Sequence, residues 1–183
     1  MLYFAYGSNL NIAGMKRRCP AARPVGVAVL RGYRLCFRRY ADIAVDAEAS
    51  VPGALWELTP ACVRALDAYE GADYPKIKIS VEHDGKAVEA MAYTMNGAKP
   101  FAPPSMDYYR EVAVGYRDWK LDEKILRRAR YDTLNVGPAL SISTKAPSGP
   151  QTTARVRRGL WDPAAQTSGD LDNLIKPARP RKT

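Results

Sequence analysis

The sequence predicts an α+β domain in which a mostly antiparallel sheet curls around or packs on two or three helices. Three observations lead there. Short apolar strand-like runs recur through the first sixty residues, a helix with clear start and stop signals follows them, and a hairpin dipeptide, Asp84-Gly85, precedes two further helical patterns. No GxGxxG or GK[ST] loop follows any strand, so Rossmann and P-loop nucleotide folds have no support.

Residues 2–6 read as a short apolar strand ending at Gly7-Ser8-Asn9. A helix is expected over 11–18, because Asn11 is a good N-cap and Pro20 stops further helix. Strands are expected at 25–30 and 33–37 around Arg31-Gly32, at 42–45, and at 53–58 after a polar loop that contains Pro52. Thr59-Pro60 joins a capping residue to proline at the first helical position, so the next helix starts there and runs to about Glu70, where Gly71 closes it. Residues 77–83 and 86–95 flank Asp84-Gly85, the pair that type I′ turns prefer. A proline-rich loop at 99–104 leads to Ser105, which can cap a helix carrying Met106, Tyr109, Val112, Ala113 and Tyr116 at helical spacing. Asp122 begins a last helix ending near Leu134.

With 183 residues, 46% of them apolar, the chain can bury a real core within one domain of ordinary size. No stretch approaches the roughly 20 apolar residues that span a bilayer, and a basic, apolar leader is missing, so no membrane role and a cytoplasmic location are expected. Cys19, Cys36 and Cys62 form no CxxC pair and are expected as buried thiols. The single histidine, His83, sits beside the Asp84-Gly85 turn and is expected as an exposed hairpin residue. One histidine so placed argues against Ser-His and Cys-His triads and against the usual zinc sites.

The net charge of +9 raises the question of nucleic acid. Residues 135–183 hold eight Lys/Arg against three Asp/Glu, leaving 20 against 16 for residues 1–134. The body is only mildly basic, which weighs against a nucleic-acid partner. The expected organisation is a folded domain over 1–134 and a basic tail rich in Pro, Ser, Thr and Arg over 135–183, mobile or loosely docked.

Three places can carry chemistry. A strand ending in Tyr6-Gly7-Ser8-Asn9-Leu10 and turning into a helix offers free backbone N–H groups to an anion, and a tight turn with a helix cap explains the same residues equally well. Val63, Leu66 and Glu70 share one helix face, which puts a carboxyl on an apolar stripe. Burial and the negative helix end would both raise its proton affinity, as a general base near neutral pH requires; the competing reading is an exposed Glu at a frayed end. Tyr108 and Tyr109 place two phenols near a helix start, where core packing with a wet polar tip is the commoner role.

Together these segments resemble the γ-glutamylcyclotransferase family. Tyr6-Gly7-Ser8-Asn9-Leu10 matches its YGSN-type loop, Leu66-Asp67-Ala68-Tyr69-Glu70-Gly71 its LDxxEG segment, and Pro103-Pro104-Ser105-Met106-Asp107-Tyr108 a PPSxxY segment, in the family's order. Tyr74, shortly after the glutamate, and the 53–58 strand add to the similarity, which covers about residues 1–130. The resemblance implies a mostly antiparallel or mixed sheet curled into a small barrel-like body with flanking helices. It implies conversion of a γ-glutamyl amine or amino acid to 5-oxoproline and a free amine, with no metal or organic cofactor. In that role Glu70 is the general base and acid, Tyr6, Gly7, Ser8, Asn9 and Leu10 hold the substrate, and Tyr108 orients Glu70 or the glutamyl moiety. The alternatives are a non-catalytic ligand- or protein-binding member of the same fold, and a nucleic-acid-associated protein using the basic tail.

Overall fold

The computed structural model describes residues 1–135. In chain order the elements are β1 (Leu2–Ala5), a 3-10 turn (Ser8–Leu10), α1 (Ile12–Arg18), β2 (Arg23–Arg38), β3 (Tyr40–Glu57), α2 (Pro60–Glu70), β4 (Lys76–His83), β5 (Lys86–Tyr93), α3 (Met106–Asp118) and α4 (Glu123–Asn135). Apart from Asn135, which ends α4, the basic tail expected over 135–183 lies outside the described residues.

The five strands close into a barrel in the order β1-β3-β2-β4-β5. Neighbours are antiparallel except β1 and β5, which run parallel and meet at Tyr3 and Met91. The α+β expectation of a curled, mixed sheet with flanking helices therefore holds. Phe4, Phe37, Leu55 and Trp56 from the strands and Leu66, Tyr116 and Leu126 from the helices are all fully buried. Each such side chain contributes about 1.5–3 kcal/mol relative to exposure.

Local signals place the helices. Thr59 Oγ1 accepts from Cys62 N at 3.2 Å, Asn11 Oδ1 from Gly14 N at 2.7 Å and Ser105 Oγ from Tyr108 N at 3.3 Å. The α2 helix ends at Glu70, with Gly71 at φ +71, a region that L side chains rarely enter. At the hairpin, Asp84 and Gly85 both have positive φ, as a type I′ turn demands.

The sheet departs from expectation in three ways. The separate strands at 25–30 and 33–37 are one strand, β2, whose register shifts at Gly32. The loop expected between 45 and 53 is part of β3. Arg31 pairs with Ser50 and Tyr33 with Val45, so residues 46–49 bulge opposite Gly32 instead of leaving the sheet. Pairing along the whole of β2 outweighs the turn-like composition of that stretch. Finally, His83 is buried, not exposed: the barrel closes β4 across β2, where the His83 ring lies on Gly26 and its Nδ1 sits 2.8 Å from the Val27 carbonyl oxygen. The three cysteines are buried free thiols, as expected.

Two close approaches set the geometry around the site. A Cβ on Gly53 would lie 2.4 Å from the Ala5 carbonyl oxygen, and one on Gly115 would lie 2.4 Å from Leu10 Cβ and 2.7 Å from Asn11 N. Glycine at these positions lets β3 and α3 press against the two ends of the β1 exit turn.

Candidate active site

Where β1 leaves the barrel, the chain turns through Tyr6 and Gly7 into the 3-10 turn, directly above the C-terminal end of α2. A cavity of about 340 Å3 opens there, and its wall includes Tyr6, Gly7, Ser8, Asn9, Glu70 and Tyr108. Six of the seven residues singled out from the sequence thus share one cavity, although α2 and α3 lie far from β1 in the chain. Leu10 is the exception. It is fully buried against Gly115 of α3, its N–H is spent on the Gly7 carbonyl, and its own carbonyl accepts from Trp119 Nε1 at 2.8 Å. The 3-10 turn rotates its apolar side chain into the core and its N–H away from the cavity, so the placement of Leu10 as a substrate contact is corrected.

Glu70 is half-buried, one turn beyond the buried Leu66 on the same face of α2. Its Oε1 accepts from Asn9 Nδ2 at 2.8 Å, and the same NH2 group donates to Tyr3 Oη at 3.0 Å. Burial pushes the Glu70 carboxyl up to about 7, with the Asn9 hydrogen bond and the Arg18 charge pulling the other way. A carboxyl so poised can take a proton and return it near neutral pH.

Tyr108 does not hydrogen-bond Glu70. Its hydroxyl accepts from Ala41 N at 3.1 Å and lies where a Cβ on Gly7 would come within 3.1 Å. Burial raises its proton affinity, the hydrogen bonds from Ala41 N–H and Ser8 lower it, and the Glu70 charge adds to the rise. Tyr6 Oη donates to the Tyr93 carbonyl oxygen at 2.5 Å, so this phenol braces the cavity wall.

Sequence reasoning missed much of the rest. Tyr3, Tyr40, Tyr69 and Tyr93 line the cavity beside Tyr6, Tyr74 and Tyr108, so seven of the chain's 11 tyrosines converge there. Only Glu70, Asp73 and Lys99 bring charge to the lining, which makes hydroxyl and amide groups the main donors to a ligand. The Tyr74 hydroxyl is buried with no hydrogen-bond partner, an unspent polar group at the cavity. Lys99 and Asp73 pair at the mouth. The Lys99 segment is held by a buried ion pair: Asp42 accepts from Arg38 Nε at 2.9 Å, Thr94 Oγ1 at 2.7 Å and Met95 N at 3.0 Å, while Arg38 reaches the Lys99 carbonyl. The density of tyrosine was visible in the sequence, but its convergence needed the barrel to close.

Among the described residues, no group of three or more His, Cys, Asp or Glu side chains is placed to hold a metal ion. No helix there is long and apolar enough to cross a membrane.

The family model described as gamma-glutamyl cyclotransferase, AIG2-like, matches residues 3–121. The chain belongs to this family. It is 30% identical over 133 residues to the mouse gamma-glutamylcyclotransferase, covering 64% of this chain and 70% of that protein, and 29% identical over the same span to the human one. Among solved structures, one titled gamma-glutamyl cyclotransferase has a TM-score of 0.64 at 25% identity and covers 81% of this chain and 94% of its own. An uncharacterised human protein also gives 0.64, at 28% identity, over 70% of this chain and 85% of that one. The matched residues include the whole lining of the cavity, from Tyr3 to Tyr108.

Proposed function

We propose that the chain is a cyclotransferase that converts a γ-glutamyl amine or γ-glutamyl amino acid to 5-oxoproline and a free amine, with Glu70 as general base and then acid. The observation that carries the reading is the Glu70 carboxyl. It is pushed up to about 7 and sits in one cavity with the Tyr6–Asn9 turn, 2.8 Å from Asn9.

The chemistry follows from the substrate. Its α-ammonium group must lose a proton before it can attack, and the Glu70 carboxylate accepts it. The freed nitrogen adds to the γ-carbonyl carbon of the same molecule, so ring closure is intramolecular and needs no nucleophile from the protein. The resulting tetrahedral oxyanion collapses as the bond from the γ-carbon to the departing nitrogen breaks. The Glu70 carboxyl hands its proton to that nitrogen, then takes the second proton from the ring nitrogen and relays it to the released amine, which departs as an ammonium ion and leaves the lactam N–H.

Within the turn, the Leu10 and Asn11 N–H groups are spent on Gly7 and Ser8 carbonyls. Those of Ser8 and Asn9, at the head of the turn, are assigned to the substrate's α-carboxylate or the oxyanion. The unspent Tyr74 hydroxyl is a further donor, and Tyr108 shapes the wall against which the glutamyl moiety lies.

The test is a panel of γ-glutamyl amino acids, γ-glutamyl-lysine and γ-glutamyl amines incubated with the full chain, with 5-oxoproline release as the readout. Release that falls at least about a hundredfold in Glu70→Gln supports the reading. Binding of panel members without 5-oxoproline would favour a ligand-binding member of the fold.

A further inference from the structure

We infer that Arg18, on α1, is a positioning residue that fixes the Asn9 amide with its NH2 group, rather than its oxygen, turned toward Glu70. The inference rests on the reading of Glu70 given above.

An asparagine amide offers an acceptor at one end and two donors at the other in nearly the same shape, so packing alone does not choose between its two orientations. Its partners choose. Arg18 Nη1 donates to Asn9 Oδ1 at 3.1 Å. A guanidinium has donors and no acceptor, so the end of the amide that faces it has to be the oxygen. The NH2 group is then committed to Glu70 Oε1 at 2.8 Å and Tyr3 Oη at 3.0 Å.

Arg18 is itself held rigidly. Its Nη2 donates to Glu111 Oε1 at 2.8 Å and to Tyr69 Oη at 2.9 Å, and its guanidinium lies 4.1 Å from the centre of the Tyr69 ring. Only 16% of the side chain is exposed. A continuous line of charged and polar contacts thus runs from Glu111 on α3, through Arg18 on α1 and Asn9 in the 3-10 turn, to Glu70 on α2. A planar fork presents donors on separate nitrogens and so reaches Asn9 from Nη1 and Glu111 and Tyr69 from Nη2, whereas the three donors of an ammonium radiate from one nitrogen.

Without Arg18 the amide is free to flip, which would set Asn9 Oδ1 against the Glu70 carboxylate. Two acceptors in contact are tolerated only when the carboxyl carries a proton. Removing Arg18 therefore raises the proton affinity of Glu70 by two routes, the lost cation and the lost orientation of its donor. Both Arg18 and Asn9 pull the Glu70 carboxyl down against burial. The phenols that face Glu70 do not titrate in its range. Burial holds the phenols of Tyr3, Tyr6, Tyr74, Tyr93 and Tyr108 above their ordinary values. At the mouth Asp73 is paired with Lys99, and one turn back on α2 Asp67 is paired with Lys76 and Tyr93 Oη.

The test is a carboxyl-carbon NMR titration of the full chain labelled at glutamate, with the Glu70 signal assigned by its absence in Glu70→Gln. Arg18→Met is expected to raise the Glu70 midpoint by about one pH unit or more. Arg18→Lys keeps the charge without the fork and is expected to fall between parent and Arg18→Met. In an Asn9→Ala background, Arg18→Met is expected to move the midpoint by less than half as much. An unchanged midpoint in Arg18→Met overturns the inference. So does a full shift that persists without Asn9, since Arg18 would then act by charge alone. Where Arg18→Met does not fold, Arg18→Lys decides, and a midpoint equal to the parent's overturns the orienting role. These titrations need no turnover. A parent chain that releases no 5-oxoproline would refute the proposed reaction while leaving the Arg18 result standing on its own.

Discussion

Replacing Glu70 by glutamine is expected to stabilise the protein at alkaline pH while slowing 5-oxoproline release at least about a hundredfold. A glutamine matches the neutral carboxyl in shape, and its oxygen can still accept from Asn9 Nδ2. The carboxyl of Glu70 moves from 4.5 when solvated to about 7 in the fold. Because the folded value is the higher one, its stabilising contribution is complete below about pH 4.5 and is lost as the pH rises to about 7. Above that point the ionised form costs up to about 3 kcal/mol, at roughly 1.4 kcal/mol per pH unit. Glu70 keeps some contact with water, which discounts the figure to about 1–3 kcal/mol. Glutamine escapes this cost. In a protein of this size each kcal/mol moves Tm by about 2–4 °C. Thermal unfolding of parent and Glu70→Gln at pH 8 should therefore differ by several degrees in favour of the variant, and the gap should shrink steadily toward pH 5. A Tm difference that is flat across this range would refute the claim that Glu70 is held as a strained carboxylate. The same variant should release 5-oxoproline at least about a hundredfold more slowly.

Three further outcomes follow from the geometry. Gly7→Val places a branched side chain where the first added carbon already meets Tyr108 Oη at 3.1 Å and Ala41 Cβ at 3.2 Å, so substrate affinity should fall about tenfold with a stability loss of about 1–3 kcal/mol, checked by KM and denaturant unfolding. Tyr74→Phe removes a buried hydroxyl that has no partner in the protein, so stability should hold or rise slightly while kcat/KM falls; equal activity would remove Tyr74 from the site. Asp42→Ala strands the guanidinium of Arg38 in a buried position and frees the segment carrying Lys99, at an expected cost of about 3–5 kcal/mol measured by urea unfolding.

Much of this molecule was legible in the chain because the relevant forces are local. Thr59-Pro60 and Gly71 mark both ends of α2, Asp84-Gly85 marks the hairpin, and Asn11 and Ser105 cap their helices through contacts three residues away. The Val63, Leu66, Glu70 spacing put a carboxyl on the buried face of α2, and the fold keeps it there. Errors arose where distant pairing decides. Residues 46–49 belong to the stretch read from the sequence as a polar, proline-containing loop, yet β2 holds them as a bulge. His83 adjoins a turn, yet closure of the barrel buries it on Gly26.

By itself, then, the sequence determined the helix boundaries, the hairpin and the carboxyl on the apolar face of α2, since capping, turn chemistry and helical period all act within a few residues, while three motifs carried the resemblance to the family. The tertiary structure alone decided that Glu70 meets Asn9 across 61 positions of chain, that Arg18 and Glu111 stand behind that contact, and that seven tyrosines enclose one cavity. It also turned Leu10 away from the cavity, through a glycine on α3 that lets the helix press against the turn. Such encounters depend on which elements the closed barrel brings side by side, and spacing along a chain carries no record of that.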